Sequence, residues 1–196
     1  MTEAHEEQSE QTEWHRLFAV EQDLALTPVG VVVEAEFPAM TEPPKVDVLL
    51  LRQTGERWME AQQARLPDGI RESTAVYNLL EFKYTESLTL DIFWQALGYE
   101  HFFRTSRRLF QAKVRVFILS AKTPHAARLA ELGFVKTELP GVLRSENIYV
   151  RHVTLLILNQ LSDTPHNAFV KTFASRQAEK RKAFGLLNSF TGLSTR

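Results

Sequence analysis

The sequence contains no cysteine, which excludes disulfides and every cysteine-based zinc site and leaves carboxylate or histidine chemistry for any metal. It also lacks a long apolar run. No stretch approaches the roughly 18 to 20 residues of a membrane helix, and neither end resembles a secretory or targeting segment, so a cytoplasmic location is expected. An excess of positive charge is missing too: 23 basic against 24 acidic residues give a net charge of -1. A nucleic-acid binder is usually basic, so any contact with DNA has to come from a local patch.

What is present is a chain of 196 residues with 44% hydrophobic content, enough for one compact α/β domain with a sizeable core. Residues 1–11 carry Glu3, Glu6, Glu7 and Glu10 without an apolar anchor and read as a disordered acidic tail. An α/β domain is expected over 12–164 and a basic, amphipathic helical segment over 165–196. A helix begins near Thr12, with Trp14, Leu17, Phe18 and Leu24 at helical spacings. Val29 to Phe37 alternates as a first strand, and the prolines 38, 43 and 44 mark a loop. Asp47 opens the strand that ends at Arg52. Residues 53–76 form an excursion whose stretch 57–65 reads equally as helix or as hairpin.

Further on, Tyr77 to Tyr84 reads as a strand, and the segment from Thr85 to Ser106 as a helix capped by Thr85 or Ser87. Val114 to Ser120 is a third β-run, and Thr123 to Gly133 is a helix with Thr123 as cap, Pro124 at its first position and Gly133 as its stop. Tyr149 to Leu158 closes a mixed sheet of four to five strands flanked by helices. The tail, with Phe169, Phe173, Phe184 and Leu187 set against Lys171, Arg176, Lys180 and Arg181, can pack on the domain, contact nucleic acid or build a homodimer. His125, His152 and His166 lie in separate elements without metal-ligand spacing and read as structural.

The chemistry concentrates in Tyr77-Asn-Leu-Leu-Glu-Phe-Lys-Tyr84. Side chains alternate along a strand, so Glu81 and Lys83 share one face, with Phe82 on the other. A carboxylate and an ammonium on an otherwise apolar strand cost solvation energy unless they are used. With Asp47 on a neighbouring strand they form a set able to hold Mg²⁺ and act on a phosphodiester: oxygen ligands suit the ion, the ion activates water, and the lysine adds positive charge beside it.

These residues resemble the PD-(D/E)XK nuclease superfamily, with Asp47 as the first acid and Glu81-Phe82-Lys83 as the Glu-x-Lys tripeptide. Gln95-Ala-Leu-Gly-Tyr99 looks like the Gln-xxx-Tyr helix motif of the RecB-like branch, and the tail from Leu155 to Arg176 is similar to that of the transposase-associated, recombination-promoting group. The resemblance implies a restriction-endonuclease-like fold and a DNA endonuclease dependent on Mg²⁺ or Mn²⁺. Asp47, Glu81 and the Phe82 carbonyl would hold the ion, Lys83 would sit beside the attacking water, and Gln95 and Tyr99 would lie close by. The first helix would offer a further acid, Glu13 or Glu21. The spacing departs from the pattern, since 33 residues separate Asp47 from Glu81. Pro67-Asp68, with 12 residues before Glu81, is the rival first acid. Asp47 is preferred because an unmistakable strand follows it.

The densest basic cluster, Arg104, Arg107, Arg108, Lys113 and Arg115, is the candidate contact for DNA phosphates. A second reading keeps the same scaffold as a nucleic-acid-binding or oligomerising module with weak or no catalysis, and the near-neutral charge and the displaced Asp47 leave room for it.

Overall fold

The computed structural model describes residues 44–52, 55–84 and 88–188, together with Val20. The expected acidic tail, first helix and first strand fall outside the described residues, as do Glu13, Glu21, Thr85 and Ser87, and the helix expected to be capped by Thr85 or Ser87 instead starts at Leu90 behind an extended Thr89.

The unit that starts at Pro44 is an α/β fold built on an open, mixed sheet of six strands. In chain order these are β1 (Val48–Leu51), β2 (Tyr77–Lys83), β3 (Val114–Ser120), β4 (Phe134–Lys136), β5 (Val142–Ser145) and β6 (Val153–Ile157). Their order across the sheet is β1-β2-β3-β6-β5-β4, with β2, β3 and β6 parallel and the outer pairings antiparallel. The helices are α1 (Glu60–Gln63), α2 (Leu90–Ser106), α3 (Ala126–Glu131), α4 (Pro165–Lys171) and α5 (Gln177–Asn188). None of the described helices is long and apolar enough to cross a membrane.

Parallel strands need a crossover, and α2 supplies it between β2 and β3. Such strands are covered on both faces, which explains the near-continuous apolar runs Val-Arg-Val-Phe-Ile-Leu-Ser in β3 and Val-Thr-Leu-Leu-Ile in β6. On one face Leu79, Val116 and Ile118 pack with Ile92, Phe93 and Ala96 of α2. On the other, Phe117, Leu119 and Leu156 pack with Ile70 of the excursion and with Val170 and Ala174 of the C-terminal segment. Each fully buried side chain of this size contributes about 1.5–3 kcal/mol, so both layers are anchored to the central strands. Val170 of α4 and Ala174 just after it tie the start of the C-terminal segment into this layer.

Several elements differ from the sequence expectation. The sheet has six described strands, because the β4–β5 hairpin was not anticipated; β4 has only three residues, too few to show a period of two. Its turn is fixed by Gly141, which sits at φ +76°, where an added Cβ would lie 2.6 Å from the Leu161 amide nitrogen. The helix expected from Thr123 starts only at Ala126, because His125 is itself extended (φ -64°, ψ 135°) and takes the cap position. The strand expected over 149–158 is shortened to β6, because residues 147–151 form hydrogen-bonded turns. Stretch 57–65 is no hairpin; it holds the single turn α1, with Trp58 buried and its Nε1 donating to the Ile70 carbonyl at 3.0 Å.

Candidate active site

Glu81 and Lys83 project from the face of β2 that carries Leu79 and is covered by α2, while Leu80 and Phe82 project from the other. Glu81 is only 5% exposed. Its Oε1 lies 2.8 Å from Lys83 Nζ, and its Oε2 is buried without any hydrogen-bond partner. From Lys83 a polar chain continues into α2. Lys83 Nζ donates to Gln95 Oε1 at 3.4 Å, and Gln95 Nε2 donates to Tyr99 Oη at 2.6 Å. The i, i+4 spacing thus puts the Gln95 amide between the strand lysine and the helix tyrosine.

Asp47 directly precedes β1, and the register that pairs Val48 with Leu80 sets it level with Glu81. Its Oδ2 accepts the Phe82 amide at 2.7 Å, extending the β1–β2 ladder through a side chain. Lys83 gives its carbonyl to Ala121 of the β3 side, so odd-numbered residues of β2 turn their backbone groups toward β3. The Phe82 carbonyl, like its amide, therefore faces the β1 side where Asp47 stands. The Phe82 ring packs edge-on against Phe173 at 5.6 Å between centroids. It belongs to the apolar layer on the opposite face.

Asp47 meets β2 through the Phe82 amide and also borders an apolar pocket with Leu80, Phe82 and Leu119, so the oxygen donors near the end of β2 are the Glu81 carboxylate and, on the β1 side, Asp47 and the Phe82 carbonyl, of the hard type that Mg²⁺ or Mn²⁺ prefers. The buried, unpartnered Glu81 Oε2 is the atom most in need of a cation. No group of three His, Asp or Glu side chains able to hold a metal occurs among the described residues. Beside the site, a cleft of about 380 Å³ opens between the start of α2 and the start of α3, lined among others by Thr89, Ser120, Lys122 and Arg128. Ser120 is level with Lys83 across the β2–β3 pairing. A crevice at the carboxyl ends of parallel strands is the usual ligand position in open α/β sheets.

The rival acid lies elsewhere. Asp68 is buried on the far face of the sheet, next to Gly69, where an added Cβ would press against the Val142 and Leu156 side chains. Its Oδ2 accepts Asn167 Nδ2 at 2.7 Å and Ser162 Oγ at 3.0 Å, and its Oδ1 is 2.9 Å from His166 Nε2. A carboxylate only accepts, so His166 carries its proton on Nε2. Burial alone would raise the Asp68 pKa, but the hydrogen bonds from Asn167, His166 and Ser162 outweigh it and hold the carboxyl below its ordinary value. Asp68 clamps the excursion to α4 and does not share a face with Glu81.

The basic cluster is dispersed. Arg104 is paired at 2.9 Å with buried Glu100, Arg107 stacks over the Phe103 ring at 4.2 Å, and Arg108 ends α2 at φ 52°. Lys113 stands in a 3₁₀ turn, and Arg115 is carried into β3 on the face opposite α2. Lys171, placed on the basic face of the tail by the sequence, is instead 1% exposed between Asp163 and Glu179 (2.7 Å to the latter) and donates to the Leu161 carbonyl at 2.8 Å. Hydrogen bonds from Lys171 and Lys182 hold both carboxyls below their ordinary values. The signal available was the run Asp163…Lys171…Glu179, spaced by eight residues on each side.

Comparison with protein-family models, with curated proteins and with solved structures finds nothing that matches this chain.

Proposed function

We propose that this protein is a divalent-metal-dependent endonuclease that hydrolyses DNA phosphodiester bonds on a restriction-endonuclease-like scaffold. The observation that carries the reading is the buried pair Glu81–Lys83 at the carboxyl end of β2, in which one Glu81 oxygen is held by the lysine and the other has no partner. An orphaned buried carboxylate oxygen costs about 1–3 kcal/mol or more, a cost that a bound cation removes. Asp47, Glu81 and the Phe82 carbonyl would hold Mg²⁺ or Mn²⁺, which would polarise a phosphate oxygen and lower the pKa of bound water. Lys83 keeps a positive charge beside that position. Gln95 and Tyr99 fix the lysine from the helix side, so its head cannot swing away from Glu81. The adjacent cleft, with Lys122 and Arg128 on its walls, gives a phosphate backbone a place to enter.

The test is nicking of supercoiled DNA by purified protein with Mg²⁺ or Mn²⁺ and with chelator. Glu81→Gln and Lys83→Ala are each expected to lower the rate by on the order of 10²-fold or more. Cleavage that persists in both variants refutes the assignment.

One observation favours a second reading, a nuclease-fold module that binds nucleic acid or self-associates without efficient catalysis. Asp47 spends one oxygen on the Phe82 amide, and the described residues gather no third acid. DNA binding without cleavage under either metal selects that reading.

A further inference from the structure

On the sheet face opposite Glu81, at the amino end of β3, a concave polar cavity of about 330 Å³ is walled by Arg115, Arg144 and Arg151. Among the described residues none of the three makes an ion pair with a carboxylate. Glu72 also lines the cavity, but its Oε2 accepts the Gly69 amide at 2.6 Å and its Oε1 lies 3.6 Å from Arg71. Arg115 and Arg144 are both exposed residues on the cavity wall, and partial desolvation, then the Arg144 charge, lower the affinity of Arg115 for its proton. Arg151 is aimed by a neighbour: its Nε donates to His152 Nε2 at 3.4 Å. Burial and the charges of Arg115 and Arg151 push His152 below its ordinary pKa, so the ring is a neutral acceptor and the Arg151 Nη groups stay available. Thr74 and Thr154 add hydroxyls to the wall. Behind Thr74 stands a fourth guanidinium. Arg52 is 5% exposed and donates Nη2 to the Thr74 carbonyl at 2.7 Å, while its Nε and Nη1 are buried without partners.

Clustered guanidinium groups repel one another, and a fold gains nothing from assembling them without an anion. The planar fork of arginine matches the oxygens of a phosphate, and several forks with two hydroxyls match a tetrahedral, doubly charged group better than a flat carboxylate. The volume suits a small molecule rather than a duplex. We propose that this cavity binds the phosphate group of a small phosphomonoester. The proposal is independent of the nuclease reading, since it uses the other face of the sheet and none of the residues of the candidate active site.

The experiment is calorimetric titration of the full chain with inorganic phosphate and with a nucleoside 5′-monophosphate, in chloride buffer without divalent metal, with a short duplex DNA in parallel. Arg115→Gln and Arg144→Gln are the variants, and their melting temperatures are recorded with and without phosphate. Phosphate and the monophosphate should both bind, and each variant should weaken both by about 10-fold or more, the usual effect of losing a hydrogen bond to a charged group. Without ligand the variants should melt no lower than wild type, because each removes a repulsion; a role in stability alone would lower them. No uptake of phosphate or monophosphate by the wild type overturns the proposal. So does equal binding by the variants, or a DNA affinity that falls in the variants while the small ligands do not bind.

Discussion

Replacing Asp68 by alanine separates the two acids that could have opened the active site. The carboxylate is 5% exposed and accepts from Asn167 at 2.7 Å, Ser162 at 3.0 Å and His166 at 2.9 Å. Hydrogen bonds to a charged group contribute about 1.5–3 kcal/mol each. Part of the loss is recoverable, because Asn167 Nδ2 keeps the Ser162 carbonyl at 3.2 Å and the Ser162 hydroxyl at 2.8 Å. The net cost at pH 7 is therefore about 3 kcal/mol, a fall in Tm of roughly 6–12 °C for a domain of this size. Because the folded-state pKa of Asp68 is depressed, its stabilisation is complete above the unfolded value of about 3.9 and is lost as the pH falls through the lower folded value. Urea unfolding at pH 7, 5 and 3 should then show a wild-type advantage that holds at 7 and 5 and narrows at 3. A loss below about 1 kcal/mol at pH 7, or a gap that acid leaves unchanged, would refute the clamp. Folded variant protein should still nick DNA with Mg²⁺; loss of nicking in a variant with wild-type stability would return Asp68 to the catalytic set.

The Glu81–Lys83 pair, with side chains 6% and 11% exposed, should behave as a buried couple: Glu81→Leu or Lys83→Met alone costs about 3 kcal/mol, and the double variant recovers to within about 1 kcal/mol of wild type. Denaturant midpoints for the four proteins decide this, and additive losses would show that the two charges are not coupled. Gly141→Ala meets both a φ of +76° and backbone atoms of Leu161 and Gln160 at 2.6 and 2.8 Å, so it should cost about 2 kcal/mol or more. A urea midpoint indistinguishable from wild type would show that the β4–β5 turn yields easily.

The central strands were legible because burial on both faces writes itself as uninterrupted apolar sequence: β3 was read at its observed bounds, Val114–Ser120. The Glu-x-Lys face was legible for the opposite reason, since two charges of opposite sign in such a run stand out and strand parity fixes their direction. The Gln95–Tyr99 contact was legible from i, i+4 spacing, whereas the link from Gln95 to Lys83 depends on where α2 docks on the sheet and left no local signal. The spatial spread of the basic cluster was not legible, because linear density ignores parity and partners. Arg104 is consumed by Glu100, four residues earlier on the same helix, and Arg115 is turned to the other face by the strand that follows. The Asp68 clamp was beyond reach, because His166 lies 98 positions away and no local period links the two.

The same parity gives β3 two polar ends with different surroundings. Ser120, at its carboxyl end, faces α2 beside Lys83, whereas Arg115, at its amino end, faces away from α2 into the arginine-lined cavity. They are five steps apart along β3, about 16 Å of strand, and the buried Val116, Phe117, Ile118 and Leu119 lie between. A small phosphate seated at Arg115 therefore cannot touch a metal held at Glu81. Influence of one on the other would have to pass through close-packed side chains, and packed cores transmit only arrangements that have a second stable form. Phe117 and Ile118 are fully packed within the two core layers, so a phosphate bound at the cavity would act on the fold chiefly by mass action, raising its stability as a whole.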